Sequence, residues 1–238
     1  VESNSRVNAD TREMTSVTNR ALLLPLLVAF SAASSSLAQS QSPSLGDLAA
    51  QGHSVTAVTP VYSQLVMFSY PPGFKLAFAK DAGANYIQEY VLEGETVEKW
   101  SQMVTLTGAK GLAANQAVTP QRLVERIAGG FQGVCPSSFG AQPIGTLKIS
   151  GHDAFVALFG CGTVSSGPPR SEVAMVLAVK GTADYYTIQW AERSQQSAQR
   201  PVLDGEKWLG RLKQLNPIKL CGRIPNEPAP YPSCINQK

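Results

Sequence analysis

The stretch Met14–Gln39 constrains this chain more than any other. Arg20 precedes an uninterrupted apolar run, Ala21–Phe30, and a tail of mostly small residues, Ser31–Ala38, follows it. A basic start, a short apolar centre and a small-residue end are the three parts of a secretory signal peptide. The run falls well short of the roughly 20 residues that a membrane-spanning helix needs, and Pro25 would break a helix within it. Ser36 and Ala38 occupy the minus-three and minus-one positions for cleavage between Ala38 and Gln39. No cysteine stands at that junction to accept a lipid. Val1–Glu13 are polar and patternless, and read as an upstream extension or a misassigned start before Met14. Residues 1–38 are therefore expected to take no part in the fold. The expected destination is the periplasm or the medium, with no transmembrane anchor once the signal is removed.

That destination decides the reading of the cysteines. All four, Cys135, Cys161, Cys221 and Cys234, lie beyond the signal. An even count in an exported chain favours structural disulfides. Three pairings are possible. Cys135–Cys161 with Cys221–Cys234 is favoured, because the second bridge closes a short tail holding Pro225, Pro228, Pro230 and Pro232. There is no Cys-x-x-Cys redox motif, and the two histidines do not complete a spaced zinc site. The net charge is +3 over 238 residues, with no dense basic stripe of the kind that nucleic acid requires.

Residues 39–63 are rich in Ser, Gln, Ala and Thr and read as a flexible N-terminal arm. One domain is expected over 64–220, with a disulfide-closed, Pro-rich tail over 221–238. Strands are expected at Gln64–Tyr70, Phe74–Ala79, Ala84–Glu93 and Met103–Thr107. A helix then starts at Thr119-Pro120, an N-cap and a first-turn proline, with Leu123, Val124, Ile127, Ala128 and Phe131 as its apolar stripe. Four more strands follow, Ile144–Ser150, Ala154–Val164, Glu172–Lys180 and Tyr185–Ala191, joined by short turns as in an antiparallel meander. A last helix runs from Asp204 through Trp208, Leu209, Leu212 and Leu215, and Asn216-Pro217 stops it. Runs of strands separated by helices give an α+β class: a mostly antiparallel sheet flanked by helices.

Several segments carry a resemblance. Tyr70-Pro-Pro-Gly-Phe74, read as a first hairpin, Glu93-Gly-Glu-Thr-Val-Glu-Lys-Trp-Ser-Gln-Met-Val104, Phe159-Gly-Cys161 and the closing helix with Trp208 resemble the Mog1/PsbP-like group of α/β/α sandwich domains, in its small exported bacterial members. The resemblance spans about 64–220 and rests on core and turn residues. It implies the sandwich fold and tilts the function towards binding or assembly. Relatives in the group bind a small GTPase or a photosystem, and no residue of those interfaces can be matched in this chain.

The candidate chemistry is sparse. His152 beside Asp153 offers a base or a metal ligand, although Gly151-His-Asp-Ala154 is also ordinary hairpin chemistry. His53 lies in the arm. Ser165, Ser166 and Ser171 flank a Gly-Pro-Pro turn, without the Gly-x-Ser-x-Gly elbow of a hydrolase. Gly108-Ala-Lys-Gly111 lacks the Walker pattern. Glu89, Glu93, Glu95 and Glu98 supply oxygen ligands around a turn, without the spacing of a calcium loop. Trp100 and Trp208 read as core. On the last long strand, Tyr186, Ile188 and Trp190 share one face, and Tyr185, Thr187 and Gln189 the other. The second face is the candidate recognition surface, since tyrosine suits interfaces.

The resulting expectation is an exported, non-catalytic interaction or envelope-assembly domain. It has no implied cofactor or metal, and it acts on a protein or envelope partner. Two alternatives stand beside it: an exported enzyme using His152 and Asp153, and a metal or small-ligand carrier at the acidic turn near Glu95.

Overall fold

A computed structural model describes residues 54–164 and 167–237. The signal segment, the Ala38–Gln39 junction, His53, Ser165 and Ser166 lie outside the described residues. The strands are β1 (Val55–Val61), β2 (Gln64–Tyr70), β3 (Phe74–Asp81), β4 (Asn85–Leu92), β5 (Gln102–Ala109), β6 (Phe139–Ile149), β7 (His152–Val164), β8 (Arg170–Lys180), β9 (Tyr185–Ser194) and β10 (Lys219–Gly222). The helices are α1 (Pro120–Val134), α2 (Gly205–Gln214) and the single turn α3 (Pro232–Ile235). The larger sheet has seven strands in the order β3-β4-β5-β9-β8-β7-β6, and a smaller one has β1-β2-β10. Every pairing is antiparallel.

The seven-stranded sheet is buried on both faces along its centre, which is why β7 and β8 read as nearly continuous apolar runs. Phe155, Ala157 and Phe159 of β7 pack with Ala174, Val176 and Ala178 of β8 against Val124 of α1. The alternate residues Val156, Leu158, Met175 and Leu177 face the other way, onto Val66 and Phe68 of β2 and Trp208 and Leu215 of α2. Layers therefore run from α1 through the large sheet to the small sheet with α2. Burying each such side chain contributes about 1.5–3 kcal/mol. Thr119 caps α1, its hydroxyl accepting the Arg122 N–H at 3.2 Å. The Asp204 carboxylate does the same for α2 with Lys207 N–H at 3.1 Å.

Both bridges sit where an element needs fastening. Cys135, at the end of α1, joins Cys161 in β7, and Cys221 in β10 joins Cys234 in α3. Two structural disulfides are the chemistry of an oxidising, extracytoplasmic compartment.

Asp184 ties three turns together. Its Oδ2 accepts hydrogen bonds from the Ser63 hydroxyl (2.6 Å) and N–H (3.1 Å) in the β1–β2 turn. Its Oδ1 accepts from the Gly111 N–H, at 2.7 Å, beyond β5. The Tyr186 hydroxyl adds a longer bond at 3.3 Å. Burial pulls this carboxyl upward, but the bonds from Ser63, Gly111 and Tyr186 outweigh it and hold the group below the usual carboxylate range.

Four expectations need correction. Residues 55–61, assigned to the flexible arm, form β1. They pair along their whole length with β2 from Val55↔Tyr70 to Val61↔Gln64. Pro60 is tolerated because β1 is an edge strand with one side unpaired. Second, β2 and β3 are not a hairpin: Pro71-Pro72-Gly73 carries the chain from one sheet to the other, and Gly73 supplies the φ of 84° that this turn requires. Third, β6 begins at Phe139 and not at Ile144. A register shift between Pro143 and Gly145 accommodates the proline. Fourth, the tail's start belongs to the fold, since Cys221 pairs with Leu65 across β10 and β2.

Candidate functional site: a groove beside helix α1

Helix α1 lies over β6, β7 and β8. Its flank and the strands beyond it enclose a groove of about 460 Å³ on the same face of the sheet. Leu123 and Ile127 of α1 form one wall; Lys80, Asn85 and Ile87 of β3 and β4 form the other. Thr107 of β5 and Tyr185, Thr187 and Gln189 of β9 make the floor. The register brings these residues together, with Thr107 opposite Thr187 and Ala109 opposite Tyr185.

The polar floor is largely satisfied from within. The Thr107 and Thr187 hydroxyls bond each other at 2.7 Å, and the Gln189 amide donates to Thr187 Oγ1 at 3.3 Å. The Tyr185 hydroxyl donates to the Val118 carbonyl at 2.6 Å. Burial, with the Asp153 charge, raises the Tyr185 pKa, so the hydroxyl keeps its proton as this bond demands. A floor already bonded within itself, beside the apolar side chains of Leu123, Ile127 and Ile87, favours occupants that bury aliphatic or aromatic surface.

The face of β9 expected to be an exposed recognition surface is instead mostly buried. Tyr185 and Thr187 are 1% and 4% exposed and act as floor, and only Gln189 is half-open. The walls were not singled out in the sequence as site residues. Leu123 and Ile127 read as core stripe, and they are, but they are only half-buried because no strand side chain closes over them fully.

The other candidates separate. His152 and Asp153 are successive residues at the start of β7 and so face opposite sides of the strand. Nε2 of His152 lies 3.4 Å from the Gln64 amide. Asp153 pairs with Lys148 at 2.5 Å, which holds its carboxyl below the usual range. No shared substrate position follows from this geometry. Ser171 is buried and donates to the Cys161 carbonyl at 2.9 Å. Gly108 lies within β5, where a Cβ would meet Val61 at 2.6 Å, so Gly108 serves packing, and Gly111 turns the chain at a φ of 72° beyond the strand. Of the acidic residues, Glu93 pairs with Lys75 at 3.3 Å. Glu95 accepts from the Ser101 hydroxyl at 2.6 Å and its N–H at 3.0 Å. Burial, then the Glu98 charge, raises the Glu89 pKa. Among the described residues no group of three or more His, Cys, Asp or Glu is placed to hold a metal ion. Trp208 is core, 2% exposed, whereas Trp100 is only half-buried.

Trp100 borders a second cavity, of about 530 Å³, at the far end of β9, with Glu98, Lys99, Ser101, Pro168, Arg170, Arg193 and Ser194. The Arg193 guanidinium stacks on the Trp100 ring at 3.5 Å. Its Nε donates to Glu172 at 3.0 Å, and Arg170 reaches the same carboxylate at 3.4 Å. By strand alternation Arg193 shares the face of Tyr185, Thr187 and Gln189. Among the described residues, no helix is long and apolar enough to cross a membrane.

A protein-family model matches residues 73–139, from the turn before β3 to the first residue of β6. No curated protein matches the chain. Among solved structures, the chain is similar to the Ran-binding protein Mog1p of Saccharomyces cerevisiae, at 12% identity and a TM-score of 0.38, over 68% of this chain and 86% of that one. It is also similar to LpqN of Mycobacterium tuberculosis, described as involved in cell envelope biogenesis, at 9% identity and a TM-score of 0.34, over 75% of this chain and 98% of that one.

Proposed function

We propose that this protein is an exported, non-catalytic interaction domain, working in the periplasm or outside the cell, that engages a protein partner through the groove beside α1. The groove itself carries the reading: apolar walls from Ile87, Leu123 and Ile127 stand over a floor whose polar groups are mostly bonded to one another. Such a surface gives affinity by burying apolar area, while Gln189 and Lys80 supply orientation. The signal-like segment and the two disulfides support an address outside the cytoplasm. The divergence of His152 from Asp153, and the engagement of Asp184 and Ser171 in structural bonds, speak against hydrolytic chemistry at those residues.

The test is affinity capture from the cell envelope with the wild-type chain, with Ile127→Asp, and with Leu209→Asp as a control. Leu209 is 41% exposed on α2, on the other side of the large sheet. A specific partner should be retained by wild type and Leu209→Asp and lost with Ile127→Asp. Equal retention by all three proteins would refute the groove as the site of engagement.

A further inference from the structure

We propose that the Trp100 cavity is a receptor for a carboxylate carried by the partner, on an aspartate or glutamate side chain or a peptide terminus. The proposal rests on the groove reading, because Arg193 continues the β9 face on which Tyr185, Thr187 and Gln189 lie.

The observation behind it is a guanidinium held in place with part of its donor set unspent. Arg193 is fixed three ways: its ring-stacking on Trp100 at 3.5 Å, its Nε bond to Glu172 at 3.0 Å, and its backbone N–H to the Ser101 carbonyl at 2.8 Å. Its side chain is only 19% exposed. Among the described residues, Nη1 and Nη2 have no hydrogen-bond partner, nor does the ammonium of Lys99, which lines the same cavity. A planar fork of two N–H donors matches the two oxygens of a carboxylate, and charge-assisted bonds of this kind are roughly twice as strong as neutral ones. Because Trp100 and Glu172 already immobilise the side chain, little rotamer entropy is lost on binding.

The charge around the cavity sets the ligand class. Lys99, Arg170 and Arg193 face Glu98 and Glu172, and Glu172 is already shared between the two arginines. The remaining positive excess is small. It suits a singly charged carboxylate better than a phosphate dianion, which Glu98 would repel more strongly. Trp100 and Pro168 offer apolar surface to the methylenes that carry the carboxylate. A partner segment extended along β9 could thus place an apolar side chain between Ile87 and Ile127 and an acidic one at Arg193. From residue 187 to residue 193 a strand spans about 20 Å.

The test is an NMR titration of the full chain, following the Trp100 indole and Arg193 Nε resonances. N-acetyl-glutamate α-amide, its glutamine counterpart and inorganic phosphate are the three probes. The glutamate probe is expected to shift both resonances saturably, the glutamine probe to leave them in place, and phosphate to bind more weakly. Arg193→Gln should weaken the glutamate response about tenfold, as a lost charge-assisted contact does. It also unpairs Glu172, so Lys99→Gln, at an exposed position, provides the variant whose fold is not at stake, with a loss of about threefold. Equal shifts from glutamate and glutamine probes, an unaltered midpoint in Lys99→Gln, or tighter binding of phosphate would each overturn the assignment. Ile127→Asp should leave this titration unchanged, so failure of the carboxylate receptor and failure of the groove are read separately.

Discussion

Replacing Asp184 with alanine tests the structural account most directly. The carboxylate is 3% exposed and accepts three short bonds, from the Ser63 hydroxyl, the Ser63 N–H and the Gly111 N–H, plus the longer one from Tyr186. Hydrogen bonds to a charged group contribute about 1.5–3 kcal/mol each. Their sum overstates the loss, because the bonds share one acceptor and do not add, and because water can reach the exposed Ser63 turn once the side chain is gone. An overall cost of about 3 kcal/mol is expected, a large part of a typical domain's stability. The assay is urea unfolding of the oxidised protein, wild type against Asp184→Ala, at several pH values. The native pKa of Asp184 is depressed below its unfolded value, near 3.9. Its contribution is therefore fully present above the unfolded pKa and is lost as pH falls through the native one. The gap between the two proteins should be constant near neutrality and narrow below about pH 4. A cost under about 1 kcal/mol, or a gap that widens on acidification, would refute the three-turn knot as a stabilising feature.

Other positions give sharper, smaller tests. A Cβ added at Gly129 or Gly130 of α1 meets nothing within 4 Å, so either alanine variant should raise stability by about 1 kcal/mol, read as a higher urea midpoint. Gly162→Ala should do the reverse and lower the melting temperature by several degrees or prevent folding, since its Cβ would lie 1.9 Å from the Gln199 carbonyl oxygen. Changing Cys221 and Cys234 to serine opens a loop with a sequence separation of 13 and should cost about 3 kcal/mol in the same assay.

What the sequence disclosed follows from the range of the forces involved. The caps at Thr119 and Asp204 and the runs of β7 and β8 are local, and each was legible from a window of a few residues. β1 was hidden because Thr56, Thr59 and Pro60 weaken its pattern, and an edge strand tolerates them. β10, four residues long, has no period to read. In the groove, alternation along β9 grouped Tyr185, Thr187 and Gln189 correctly, but their burial depends on Val118 and α1, which come from a distant stretch of chain. The Trp100–Arg193 stack was invisible for the same reason. It exists because β5 pairs with β9, and the Thr107–Thr187 bond between them joins residues 80 positions apart.

The placement of the small sheet bears on how the molecule would be presented. β1 and β10 flank β2, so the beginning and the end of the described fold are both stitched into one layer. That layer lies against the face of the large sheet opposite α1. Neither β1 nor β10 lines the groove, which opens on the α1 side of the large sheet. A tether reached through either strand therefore starts from the layer opposite the groove.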